Sequence, residues 1–125
     1  MSVPVDLAEL AEHLQHYNFA YLMTVGEDQR AHAVAVRPSL DGPVLQVEGL
    51  GRRTLANLEA RPAISLVWPP FEHGGYSLIL DGRAALTDGG ATVTPEHAVL
   101  HRPAEEGAAP GATGCGNDCV PLGEG

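Results

Sequence analysis

Five apolar runs rich in β-branched and aromatic residues follow one another along the chain, each closed by a turn signal. They span 19–25, 31–38, 44–48, 63–68 and 76–88, and Gly82 is predicted to mark a bulge or a bend in the last of them. Such runs, bounded by Gly, Pro, Asn and Asp, predict strands, and their short connections predict antiparallel hairpins. The spacing therefore favours a small antiparallel barrel over a parallel sheet.

Few segments have helical spacing. Residues 6–17 place leucines three and four apart behind a potential aspartate cap, which predicts an amphipathic helix. A second, shorter helix is predicted after Thr54, with two leucines on one face and Pro62 at its end. A further short strand is predicted around 92–94, and PEHAVLHRP (95–103) has room for one or two helical turns.

Length and charge exclude several classes of protein. A chain of 125 residues fits one domain, predicted here to span 1–103 and to be followed by a flexible Gly/Pro-rich tail, 104–125. The net charge of -9 argues against a nucleic-acid partner, because such binding needs a basic face. The N-terminus lacks the pattern of a signal peptide, and no apolar run approaches the roughly 18 residues of a membrane span. We expect a cytoplasmic protein.

The stretch GLGRRT (49–54) stands out in this acidic chain, whose seven basic residues are all arginine. It resembles half of a dinucleotide fingerprint, but Thr54 replaces the third glycine and the neighbouring strands form hairpins, so a Rossmann unit is rejected. A helix N-terminus with glycines and a pair of arginines also suits an anion. The alternative is a structural turn whose arginines face solvent.

Three longer stretches carry a family resemblance: a strand ending VAVRP, then VEGLGRRTLANLEARPAISLVW, then GGYSLILDGRAAL. Together they resemble the pyridoxamine 5'-phosphate oxidase-like split-barrel family, from about Phe19 to Arg102. The resemblance implies a mainly β fold, a six-stranded antiparallel Greek-key barrel with an N-terminal helix and short crossover helices. It also implies a homodimer that binds a flavin, FMN or F420, in a groove between its subunits.

The resemblance implies a set of cofactor-binding residues, of which Glu48, Thr54, His32 and Tyr76 depart from the residue types usual in the family. Glu48 stands in place of a hydroxyl residue and would repel a phosphate. The implied residues are His32, Ala33, Val34, Ala35, Val36 and Arg37 on one strand, Val47 and Glu48 at the end of the next, then Arg52, Arg53, Thr54 and Tyr76. The aromatic Trp68 is interpreted as a core or dimer contact.

The resemblance favours an oxidoreductase that acts on a small molecule by two-electron transfer, with no catalytic residue assigned. The part of the true oxidases that holds the pyridoxal substrate has no counterpart, so that substrate is not predicted. One alternative is a carrier that binds flavin without turnover. Another is a zinc site on a barrel scaffold, formed by His97 and His101 with Cys115 and Cys119. Their loose spacing favours solvated histidines and free thiols, so no metal ligand is assigned.

Overall fold

The computed structural model describes residues 1–104, which form one antiparallel sheet and two short helices. The strands are β1 (Ser2–Pro4), β2 (Ala20–Val25), β3 (Ala31–Val36), β4 (Ser39–Asp41), β5 (Val44–Val47), β6 (Ala63–Trp68), β7 (Ser77–Thr87) and β8 (Gly90–His101). The helices are α1 (Leu10–Leu14), which follows a 3-10 turn at Leu7–Glu9, and α2 (Arg52–Ala60).

The sheet has the strand order β3-β2-β6-β7-β8-β5-β4, and β1 pairs with β8. Within residues 1–104, β3 and β4 form the two ends of this order and do not pair with each other, so the barrel is split. Six strands have four or more residues, and β1 and β4 have three each. The predicted mainly β split barrel is confirmed, with two short strands added to the six long ones.

The core lies on one face of the central strands. Cross-strand neighbours on this face are Val34, Leu22, Leu66, Leu80 and Ala98, taken in order across the sheet. All of them except Val34 are buried, and Leu58 of α2 packs against the same cluster. Trp68 also lies in this core and is 3 % exposed, so its role is packing. Burial of these apolar side chains supplies the main driving force for folding.

Helix α2 carries the chain from β5 to β6 and is fixed to β2 by two hydrogen bonds. Asn57 Nδ2 donates to the hydroxyl of Thr24 at 3.0 Å, and Arg61 Nε donates to the carbonyl of Val25 at 2.7 Å. The helix begins at Arg52, earlier than the leucine spacing indicates, and ends before Pro62 as predicted. The two bonds hold the C-terminal half of the helix, and the residue that follows it, against β2.

Two sequence predictions of helix are corrected. The predicted helix 6–17 is reduced to the 3-10 turn and the single short helix α1. The segment 95–103 forms no helix, because β8 continues to His101 in register with β7. A register shift between Asp81 and Gly82 lies opposite Pro95, and such a bulge accommodates a proline that would otherwise interrupt the ladder. The bulge predicted at Gly82 is confirmed.

Candidate functional site

A groove of about 600 Å³ lies between the edge strand β3 and the N-terminus of α2. A volume of this size is typical of a small-molecule site. Its lining comes from the residue before β2, from β3, and from the turn between β5 and α2. The lining residues are Phe19, His32, Val34, Ala35, Val36, Arg37, Glu48, Gly49, Leu50, Gly51, Arg52, Arg53 and Thr54.

The turn that joins β5 to α2 is shaped by glycines. Gly49 has a φ of 71°, a left-handed conformation that favours glycine, and the Leu50 N–H donates to the carbonyl of Gly89 at 3.0 Å. Gly90 approaches the carbonyl of Val47 so closely that a Cβ would overlap it. These contacts set the position of the turn against β8, and with it the start of α2.

The first turn of α2 presents unpaired backbone N–H groups at the groove. Gly51 is the extended N-cap residue, and its carbonyl accepts the N–H of Leu55 at 3.0 Å in the first hydrogen bond of the helix. The N–H groups of the three preceding helical residues have no acceptor within the helix. These residues, Arg52, Arg53 and Thr54, line the groove, and no acidic residue occupies this turn. The N-terminal end of a helix with such donors favours an anion.

The Thr54 side chain is the deepest polar group of the groove. It is 2 % exposed, and residues 1–104 offer its hydroxyl no hydrogen-bond partner. The other buried threonine, Thr24, has its partner in Asn57. A buried hydroxyl without a partner costs stability, and native proteins rarely retain one without a function. The Thr54 hydroxyl is therefore a buried polar group that the described residues leave unsatisfied.

The charges in the groove are mostly positive, although the chain as a whole is acidic. Among the described residues, Arg37, Arg52 and Arg53 are exposed and line it, together with one carboxylate, Glu48. The half-buried ring of His32 lies on the same wall. The only ion pair recorded within residues 1–104 lies elsewhere, so the groove charges are not neutralised by one another.

Solved structures share this fold. A FAD-binding protein of Mesorhizobium loti has a TM-score of 0.65 at 14% identity, over 80% of this chain and 95% of that one. A Listeria innocua structure named for pyridoxamine 5'-phosphate oxidase has a TM-score of 0.63 at 15% identity, over 75% and 96%. An F420 reductase has a TM-score of 0.57 at 18% identity, over 68% and 91%. At these identities the likeness concerns the fold.

Two mycobacterial proteins are much closer in sequence. An uncharacterized protein of Mycobacterium bovis is 45% identical over 132 residues, which covers 93% of each chain. An uncharacterized protein of Mycobacterium tuberculosis matches to the same extent. The chain therefore belongs to the same family as these two proteins. No family model matches the sequence.

Most of the residues that the resemblance implied do line the groove of this split barrel, and three do not. Val47 is buried in the core, and Ala33 faces outward on β3, where it pairs with Met23. Tyr76 lies in a separate cluster, in which its carbonyl accepts the Tyr17 hydroxyl at 2.9 Å and its ring lies 4.5 Å beneath the Arg102 guanidinium. The other residues that the resemblance implied line the groove: His32, Val34, Ala35, Val36, Arg37, Glu48, Arg52, Arg53 and Thr54.

Sequence reasoning missed Phe19 and Leu50 as lining residues. Phe19 reaches the groove because β2 pairs with β3 and places the start of one beside the end of the other, with Ala20 opposite Val36. An aromatic residue directly before a strand was the available signal. Gly49 and Gly51 were recognised in the sequence as turn glycines and now also form part of the lining.

The proposed zinc ligands are not brought together. His97 and His101 lie in β8 rather than on one face of a helix, since His97 pairs with Asp81 and His101 with Ser77. His97 Nδ1 is 3.7 Å from a carboxylate oxygen of Asp81, and His101 Nδ1 is 3.0 Å from the hydroxyl of Ser2. Cys115 and Cys119 lie outside the described residues, and residues 1–104 contain no group of three potential metal ligands.

None of the helices described within residues 1–104 is long and apolar enough to cross a membrane.

Proposed function

We propose that this split barrel binds a flavin-type cofactor, FMN or F420, with the cofactor phosphate at the N-terminus of α2. The observation that carries the proposal is the buried Thr54 hydroxyl, which lacks a partner within the described chain and lines the groove. Phosphate oxygens accept hydrogen bonds from hydroxyls, from helix N-terminal N–H groups and from arginines. Thr54, Arg52 and Arg53 offer all three kinds of donor at one place.

The β3 wall suits the flat ring of such a cofactor. Val34 and Val36 are half-buried, line the groove and pack against the core, so they form an apolar surface of fixed shape. Arg37 follows at the end of the strand. A flavin supplies the two-electron redox chemistry itself, and the protein contributes binding, orientation and a dry pocket. We propose oxidoreduction of a small molecule on this surface. Names of fold relatives that include FAD binding and F420 reduction support the assignment.

A second copy of the chain would complete the site. On the outer face of the sheet, an unbroken apolar row crosses six strands, in the order Ala35, Tyr21, Val67, Ile79, Val99 and Pro4. The outer face of an antiparallel sheet that faces water is normally polar. Tyr21 is 42 % exposed, and a continuous apolar patch of this kind marks an interaction site. Ala35 belongs to this row and also lines the groove, so a homodimer over this face would reach the cofactor site.

The cofactor proposal is tested by titration of the purified protein with FMN and, separately, F420, followed by flavin fluorescence. Arg53→Ala removes a groove arginine, and Arg83→Ala, at an exposed position outside the groove, is the matched control. Loss of one good charged contact weakens binding by about tenfold or more, so we expect that loss in Arg53→Ala alone. If the protein binds neither FMN nor F420, the proposal is refuted.

Turnover separates an enzyme from a carrier. The loaded protein is supplied with a chemical reductant and an artificial electron acceptor, and the oxidation state of the bound flavin is followed by absorbance. Repeated reduction and reoxidation of the bound flavin would support an oxidoreductase. Tight binding without turnover would assign the groove to storage or delivery of flavin.

The dimer is tested by sedimentation equilibrium. Tyr21→Asp places a charge in the apolar row and is expected to yield monomers, because burying an unpaired charge is costly. Leu86→Asp is the control, since Leu86 is exposed to a similar extent, 44 % against 42 %, and does not belong to the row. A monomeric wild-type protein would refute the interface.

A further inference from the structure

A second cavity, of about 430 Å³, lies beside strand β8 and shares no lining residue with the groove. One edge of β8 pairs with β7, and the other edge pairs with β5 at 91–93 and with β1 at 99–101. The cavity lies at the break between these last two pairings, where Thr94 and Pro95 line it. The 3-10 turn, α1 and the turn between β4 and β5 contribute the rest of its lining. The fold therefore leaves an opening between β1 and β5 that no strand of residues 1–104 fills.

The lining of this cavity is apolar. Leu7, Leu10 and Leu40 contribute aliphatic side chains, and Pro43 and Pro95 add their rings. Leu10 is buried at 2 % exposure, whereas Leu7 is 38 % exposed. An exposed leucine that continues an apolar cavity forms a contiguous apolar patch, and such a patch marks an interaction site.

Exposed carboxylates flank the cavity on three parts of the fold: the 3-10 turn with α1, the turn between β4 and β5, and β8. Each of them belongs to a residue next in sequence to a lining residue: Asp6, Glu9, Glu12, Asp41 and Glu96. The segments 6–12, 40–43 and 94–96 contain no lysine or arginine. Arg83 pairs with Thr94, but it does so from β7, on the opposite edge of β8. The apolar cavity therefore has an acidic rim.

We propose that this acidic-rimmed cavity docks a basic amphipathic peptide segment of a partner protein. An apolar side chain of the peptide enters the cavity, and its lysines or arginines face the carboxylates of the rim. Because these carboxylates belong to three separate parts of the fold, a peptide with several cationic groups fits them better than a ligand with one. Residues 105–125 carry four acidic residues and no lysine or arginine, so their charge disfavours them as the occupant.

The test measures the binding of a fluorescein-labelled amphipathic peptide of leucine and lysine to the whole chain by fluorescence anisotropy. The same peptide with glutamate in place of lysine tests the role of charge. Ala11→Phe fills the cavity, because Ala11 is an exposed residue of α1 that lines it. Ala56→Phe is the matched control, since Ala56 is an exposed residue of α2 that does not line the cavity. Thermal melts verify that each variant is folded.

A second pair of variants removes charge without changing the size of the side chains. Glu9→Gln combined with Glu12→Gln removes two carboxylates of the rim. Glu27→Gln combined with Glu59→Gln removes two exposed carboxylates from parts of the chain that do not line the cavity, and so controls for the change in net charge. Asp6 is left unchanged because its carboxylate caps the 3-10 turn.

We expect the leucine–lysine peptide to bind the wild-type protein, with an affinity that falls as salt is added, and the glutamate peptide not to bind. Ala11→Phe should weaken binding by about tenfold or more, because the apolar side chain of the peptide loses its place. Glu9→Gln with Glu12→Gln should weaken binding by about threefold or more at low salt. Both control variants should bind as the wild-type protein does.

A wild-type protein that does not bind the leucine–lysine peptide would overturn the proposal. Equal binding of the two peptides would overturn it as well, because charge would then have no role. Binding that Ala11→Phe leaves unchanged would place the peptide outside the cavity. A wild-type dimer that Ala11→Phe converts to monomers in sedimentation equilibrium would assign the cavity to a second copy of the chain instead.

Discussion

Asn57 on α2 donates a 3.0 Å hydrogen bond to the hydroxyl of Thr24 on β2, and both side chains are buried. The two residues are 33 positions apart in the chain, so the bond ties the helix to the sheet. Three positions before Asn57, the equally buried Thr54 has no such partner within the described residues. One helix therefore carries a buried polar group that holds it in place and another that has no partner within the described residues.

Thr24→Val is expected to destabilise the protein by about 1–3 kcal/mol, because the isosteric change leaves the buried Asn57 amide without its acceptor. The free energy of unfolding is measured by urea denaturation at a fixed protein concentration. Replacing both partners, as Thr24→Val with Asn57→Leu, should recover part of the loss. Equal stability of Thr24→Val and the wild-type protein would show that the bond contributes nothing.

Much of the groove could be predicted from sequence because its parts are local. Alternate residues of a strand share a face, so His32, Val34 and Val36 necessarily lie on one wall. The helix start at 52–54 lies within a single contiguous stretch, GLGRRT, whose glycines and arginines indicate an anion site without reference to the rest of the fold.

The remainder depends on long-range pairing that no local pattern contains. The extension of β8 to His101 follows from its register with β7, which overrides the helical spacing of the two histidines. Tyr76 lies beside Tyr17 because the loop before β7 packs on the segment after α1, at a distance from the groove. The presence of β4 follows from its pairing with β5 and was not visible in three residues of sequence.

Gly90→Ala is expected to destabilise the protein by about 1–3 kcal/mol, because its Cβ would overlap the carbonyl of Val47 and force the strands apart. The same movement displaces Glu48 and the start of α2, so FMN binding should weaken as well. Urea denaturation and fluorescence titration measure the two effects.

Gly42→Ala is the control for this substitution. Gly42 has a φ of 61° and open space around it, so alanine there costs about 1–2 kcal/mol by backbone strain without touching the groove. Weaker FMN binding in Gly42→Ala to the same degree would show that general destabilisation, and not the contact between β5 and β8, causes the loss in Gly90→Ala.

The raised pKa of Tyr17 predicts that the protein loses stability at alkaline pH. Burial raises the pKa of its hydroxyl above the usual value of about 10. From the unfolded-state pKa upward, the unfolded chain releases this proton before the folded protein does, so the free energy of unfolding falls as pH rises. Urea denaturation between pH 8 and about pH 11 should show a shallower fall in Tyr17→Phe than in the wild-type protein. Identical slopes would contradict the assignment.

Thr54→Val separates the two interpretations of the unpartnered hydroxyl, because they predict opposite results. If the hydroxyl serves a ligand, its removal relieves a buried unsatisfied group, so the stability of the ligand-free protein should be unchanged or higher by about 1 kcal/mol. Binding of FMN should weaken by about tenfold or more, since a hydrogen bond to a charged phosphate is lost. A Thr54→Val variant that is less stable and binds FMN as the wild type does would assign the hydroxyl to the fold instead.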